Sequence, residues 1–138
     1  MLRGGPAVLG VFLLVSTSLA VPCPRSIITR VETLMTENLL QNCSDSTLYT
    51  PSSLDFKQRC PGTTLACFAA ELKVLTDELR ISGCKDFSKS VQRLETLSKR
   101  YKGETDCLQC EFLEEKSIDR FLSSLLSTLQ QICSESAS

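Results

Sequence analysis

The chain has 138 residues, with 15 basic against 16 acidic side chains for a formal charge of −1, and it contains no histidine and no tryptophan. With neither a basic excess nor aromatic platforms for bases, it is not built as a nucleic-acid binder. The absence of histidine removes the usual general base near neutral pH and the commonest metal ligand, so Ser–His–Asp, Cys–His and His-dependent phospholipase chemistries are excluded in their standard forms.

The N-terminus reads as a secretory signal peptide. Arg3 gives a basic start, Ala7 to Val15 (AVLGVFLLV) is apolar, and Ser18 and Ala20 are the small residues before a cut after Ala20. The apolar run falls well short of the roughly 20 residues of a spanning helix. Residues 1–20 are therefore expected to be removed, leaving one domain over 21–138, about 118 residues. Without Arg3 the remainder has 14 basic and 16 acidic residues. No later stretch is long and apolar enough to insert into a membrane.

Four segments then carry helical periodicity. The first runs from about Arg25 to Gln41, with Ile28, Val31, Met35 and Leu39 on one face and Pro24 suited to the first turn. The second runs from about Thr64 to Ile81, striped by Leu65, Phe68, Leu72, Leu75 and Leu79, capped by Thr63 or Thr64 and followed by Gly83. The third covers about Phe87 to Tyr101, with Phe87, Val91, Leu94 and Leu97, an Asp86 N-cap and Gly103 as its stop. The fourth begins at Glu111 or Ser117 and reaches Cys133, with Ile118, Phe121, Leu122, Leu125, Leu129 and Ile132 on the cleanest apolar face. No segment makes a convincing strand; STLYT, Ser46 to Thr50, comes nearest and is short. The links are long (43–62), short (82–86) and medium (from 102 to about 110 or 116). That pattern predicts an all-α, up-up-down-down four-helix bundle, because a short link joins antiparallel neighbours and a long one crosses the bundle.

All eight cysteines lie after residue 20, an even number that reads as a disulfide framework in a small secreted chain. Spacing alone does not choose among the 105 pairings. The Cys107–Cys110 C-x-x-C admits a redox motif, half a zinc site with Cys60 and Cys67, or two structural bridges. Thioredoxin-type chemistry expects an α/β setting, and six residues between Cys60 and Cys67 exceed the usual zinc spacing, so structural bridges are preferred. A carboxylate pair is the remaining route to acid–base catalysis. The acids gather in a linker and a helix start with no sign of a cleft, so no enzyme, cofactor or metal is expected. Asn42-Cys43-Ser44 matches the N-glycosylation pattern.

TLYTPSSLDFKQRC, CFAAELKVL and CLQCEFLEEKSIDRFLSSL together resemble interleukin-15 and interleukin-15-like cytokines, of the short-chain four-helix family that includes interleukin-2 and interleukin-21. The similarity covers about Thr47 to Leu79 and Cys107 to Gln130. The short leader tilts the resemblance toward the interleukin-15-like branch. It implies bridges Cys60–Cys107 and Cys67–Cys110. In an up-up-down-down bundle the start of helix one lies near the end of helix four, and the end of helix one near the joint of helices two and three. That geometry pairs Cys23 with Cys133 and Cys43 with Cys84, within the roughly 7 Å Cα separation a bridge needs.

The resemblance also implies function: a secreted, monomeric cytokine that binds an interleukin-15-type receptor alpha chain and bridges a shared beta chain and the common gamma chain to signal in lymphoid cells. Its alpha-chain positions match Glu71, Val74, Glu78 and Glu111 here. Its gamma-chain glutamine matches Gln130, although the asparagine expected four residues later is Ser134. Its beta-chain aspartate falls near Arg30, with Glu32 the nearest acid. Five acids and no base stand between Glu104 and Glu115, a surface that would steer a basic partner. A disulfide-rich helical lipid carrier is the rival reading. It lacks the adjacent C-C and C-x-C pairs of plant carriers, and single apolar stripes suit a closed core better than an open cavity.

Overall fold

The structure is a computed structural model, and it describes residues 21–36, 45–52, 56, 60–84 and 87–137. The expected leader, Leu39, Asn42, Cys43 and Asp86 lie outside the described residues. Within them, helices α1 (Arg25–Thr36), α2 (Pro61–Ile81), α3 (Ser88–Ser98) and α4 (Ile118–Ala137) are joined by a short ribbon of β1 (Thr47–Tyr49) and β2 (Glu115–Ser117). A single 3₁₀ turn covers Cys110–Phe112.

Each helix buries one stripe, and the stripes meet in one core. Leu65, Phe68, Leu72, Leu75 and Leu79 of α2 are fully buried, as are Phe121, Leu125 and Leu129 of α4. Phe68 and Phe121 meet edge to face, with ring centroids 5.5 Å apart. Burying each such side chain contributes roughly 1.5–3 kcal/mol. In α1 the stripe is rotated by about one residue from the expected one. Ile27, Val31 and Leu34 are buried, while Ile28 and Met35 pack partly buried at its edge.

The helix directions follow from specific ties. Cys23, before α1, is bonded to Cys133, near the end of α4, so these two helices run antiparallel. The tight Ser82–Gly83 turn sends α3 back along α2. Gly83 takes φ +76°, and the Cys84 and Gly83 amides donate to the Leu79 and Arg80 carbonyls, closing the Schellman cap that favours glycine there. Along α2, Ser46 reaches Glu78 and Tyr49 reaches Glu71, so β1 runs against α2. Strand β2, antiparallel to β1, therefore runs with α2 and delivers α4 at the far end. Both α1 and α2 rise from one end, and α3 and α4 descend toward it: the up-up-down-down bundle.

Several boundaries differ from the expected ones. Helix α2 starts three residues early, at Pro61, with neither Thr63 nor Thr64 as its cap residue. Its first amides are satisfied from a distance: the Glu104 carboxylate accepts from Gly62 N–H and, at 2.9 Å, from Thr63 N–H, and also takes the Thr63 hydroxyl at 2.8 Å. A carboxylate on the positive end of a helix adds charge complementarity to satisfied donors. Gly62 has to be glycine there, since a Cβ would stand 2.9 Å from the Glu104 carboxylate and 3.0 Å from the Ser98 carbonyl. Helix α3 begins at Ser88, with Phe87 at its cap position, and ends at Ser98. Helix α4 begins at Ile118 because 115–117 are committed to the ribbon, where Thr47, Leu48 and Tyr49 face Ser117, Lys116 and Glu115.

Candidate functional site: an acidic face braced by disulfides

Two bridges sit at the start of α2. Cys60 is bonded to Cys107 and Cys67 to Cys110, with Cα separations of 6.0 and 5.4 Å. Cys84 is disulfide-bonded as well; its expected partner, Cys43, lies outside the described residues. Ligand atoms of Cys60, Glu104 and Cys107 lie within 4.8 Å of one another. Both sulfurs of that trio share one disulfide, so neither is a thiolate able to hold zinc.

The bridges lay the 107–113 segment against α2. On α2 itself, Glu71, Val74 and Glu78 are three and four residues apart and form one stripe. Val74 is 46% exposed. The two glutamates have structural partners. Glu71 Oε1 accepts the Tyr49 N–H at 2.7 Å, and Glu78 Oε2 accepts the Ser46 hydroxyl at 2.6 Å. They hold the ribbon to the helix, so these carboxylates are half-buried rather than freely solvated.

Glu111 comes close enough to Glu71 for the charges to couple. The Glu71 carboxyl is held above its ordinary range first by burial. The Tyr49 amide pulls the other way, and the nearby carboxylates of Glu115 and Glu111 raise it further. Thus Glu71, Val74, Glu78 and Glu111 belong to one surface. Gln130 and Glu32 lie elsewhere. Gln130 is exposed late in α4, next to fully buried Leu129, and Glu32 is exposed on α1.

Two residues of this face escape sequence reasoning. Phe112 is 72% exposed and Leu108 63% exposed, both in the disulfide-held segment. Periodicity cannot find them, since the segment is one 3₁₀ turn with flanking loops. The available signal is that a phenylalanine stands between Glu111 and Leu113-Glu114 in a short linker, where large apolar side chains have little core to enter. Exposed apolar groups beside charged ones mark interaction surfaces.

A disulfide-stapled, up-up-down-down bundle is the architecture of the short-chain four-helix cytokine class. The family model described as "Interleukin 15" matches residues 9–133, and the chain belongs to that family, a family of signalling ligands rather than enzymes. Interleukin-15 of Marmota himalayana is 40% identical over 98 residues, covering 68% of this chain and 59% of the marmot protein. Interleukin-15 of Cavia porcellus and of Mus musculus are each 36% identical over 104 residues, covering 72% of this chain and 63% of theirs. The chain thus spans about three fifths of the length of these relatives. No helix among the described residues is long and apolar enough to cross a membrane.

Proposed function

We propose that the protein is a secreted cytokine that docks a receptor alpha chain on the acidic face and bridges a beta chain and the common gamma chain to trigger signalling in lymphoid cells. The observation that carries the first step is that exposed Phe112 and Leu108 stand with Glu111 on a segment tied by two disulfides, while α2 offers exposed Val74 and the Glu71 carboxylate that couples to Glu115 and Glu111. Apolar anchors supply affinity, and surrounding charge supplies specificity and on-rate. A fixed segment also loses less entropy on docking than a mobile one. The alpha-chain set is Glu71, Val74, Glu78 and Glu111, extended by Phe112 and Leu108. Gln130 serves the gamma chain, and Glu32 of α1 serves the beta chain. Residues 1–20 act as the signal peptide, Asn42 as a glycosylation site, and the ligand works as a monomer without cofactor.

Surface plasmon resonance against soluble alpha chain tests the reading. Glu71 is an ambiguous probe, because Glu71→Lys also removes the acceptor of Tyr49 N–H. Glu111→Lys is cleaner and is expected to weaken binding at least about tenfold, with Phe112→Ala similar. Unchanged affinity in both variants would remove this face from the interface. Gln130→Asp is expected to abolish signalling in a receptor-bearing reporter cell while sparing alpha-chain binding; full signalling overturns that assignment.

A further inference from the structure

The side of the molecule formed by α1 and α3 has the opposite character. One concavity of about 360 Å³ is bordered by Ser26, Arg30, Lys89 and Arg93, and a second of about 390 Å³ by Arg93, Thr96 and Arg100. Arg93 borders both, so the two lie side by side and are treated together as one groove. Among the described residues no carboxylate lines either part. Lys89 and Arg93 stand one turn apart on one side of α3, and Arg100 follows in the turn just past its end at Ser98. Two described acids of these helices fall on other faces: Glu32 stands two residues from Arg30 and Glu95 two from Arg93, each about 200° round its helix. Glu95 instead borders the α2–α3 side with Lys73 and Asp77.

We infer that this groove binds an extended polysulfated polysaccharide. Guanidinium and ammonium groups in a row, with the Ser26 hydroxyl between them, match regularly spaced sulfates through charge-assisted hydrogen bonds. Arg93 is held in place for this by its Nη1–H bond to Ser26 Oγ at 2.8 Å, which uses one of its five donors. A protein partner fits less well. The exposed large apolar residues of the described chain are Val74, Ile81, Leu108 and Phe112, all outside the groove, and protein interfaces rely on such anchors. The disulfides place the chain in an oxidising, extracellular setting, where the abundant linear polyanion carries sulfate rather than nucleic-acid phosphate. With a formal charge of −1 over the whole chain, attraction to a polyanion has to be local.

Immobilised heparin in biolayer interferometry at pH 7.4 tests this on the full chain after any leader is removed. Binding is expected in about 0.15 M NaCl, with a slope of log K against log salt of roughly −3, as four cations on a linear polyanion give. Lys89→Glu with Arg93→Glu should cut affinity at least tenfold. Lys73→Glu with Arg120→Glu, the same charge change outside the groove, should leave it within twofold. Lys89→Gln with Arg100→Gln, which spares the Arg93–Ser26 bond, should halve the slope and guards against misfolding of the first pair. N- and O-desulfated heparin should not bind, and duplex DNA should bind more weakly than heparin. Absence of heparin binding, equal loss in the control pair, or DNA binding as tight as heparin overturns the inference. So does a Lys89→Glu/Arg93→Glu variant that keeps heparin and loses the beta chain, since the groove would then be a receptor contact.

Discussion

The acidic face and the basic groove carry similar amounts of charge but are built differently. The acidic face is assembled from three separate stretches: α2, the 107–113 segment and the ribbon. Two disulfides, the β1–β2 pairing and the Glu71 and Glu78 hydrogen bonds join them. The groove is presented by the surfaces of two neighbouring helices, with the Arg93–Ser26 bond crossing between them. Charge placed on a regular helix surface needs little bracing, whereas charge and exposed apolar groups on a linker keep one arrangement only if the linker is tied down. The difference predicts which changes injure one surface and spare the other.

The disulfides separate the two most strongly. Replacing Cys23 and Cys133 by serine opens a closure of 110 residues and is expected to cost about 4–5 kcal/mol in chemical denaturation, a loss felt by both surfaces through global stability. Replacing Cys67 and Cys110, 43 apart, is expected to cost about 2–4 kcal/mol and to act selectively. Alpha-chain affinity should fall, while helix content by circular dichroism and the charge of the α1/α3 groove are retained. A variant that keeps full alpha-chain affinity would mean that the segment does not need its tie.

A smaller effect lies at the joint between linker and helix. Glu104→Ala leaves the Gly62 and Thr63 amides at the start of α2 without their acceptor and is expected to cost about 1–3 kcal/mol. Glu104→Gln should recover part of this, because it keeps one oxygen but loses the charge that complements the helix end. Equal stability of the wild type and both variants in urea denaturation would show that water replaces the carboxylate at no cost.

Much of the bundle was legible in the sequence, for reasons visible in individual residues. The stripes of α2 and α4 repeat with helical period and nothing competes with them, so Leu65 to Leu79 and Ile118 to Ile132 fall where the pattern puts them. The long–short–medium links carried the topology. The ribbon was only half legible: β1 lies within Ser46 to Thr50, the stretch nearest to a strand, but three residues have no period to read, and β2 borrows Glu115–Ser117 from what looks like a helix start. Its pairing partner is 68 residues away, as the Thr47–Glu115 contact shows. Distant partners also hid the cap of α2, where Glu104 takes the role a local threonine was expected to fill. At the candidate site, Glu71 and Glu111 were readable only through resemblance. Their coupling depends on the Cys67–Cys110 bridge, and no local spacing encodes a bridge.

The smallest predicted effect is also the most specific to the acidic face. Glu71 titrates above the ordinary carboxylate range because it is half-buried beneath β1 and beside Glu115 and Glu111. The folded state therefore holds that proton more tightly than the unfolded chain. The resulting stability is present below the ordinary glutamate value of about 4.3 and is lost as pH rises through the raised value, the reverse of a salt-bridged carboxylate. Glu71→Gln keeps an oxygen for Tyr49 N–H and removes the titration. Stability measured from pH 3.5 to 7 should then decline less with rising pH in the variant, by well under about 1 kcal/mol given the exposure of the group. On the proposed docking role, acidification also discharges Glu71, so alpha-chain affinity should fall more steeply on acidification in wild type than in Glu71→Gln. Parallel stability curves for the two proteins would mean that burial at Glu71 is relieved by solvent. The charge coupling that unites α2 with the 107–113 segment would then be too weak to define one surface.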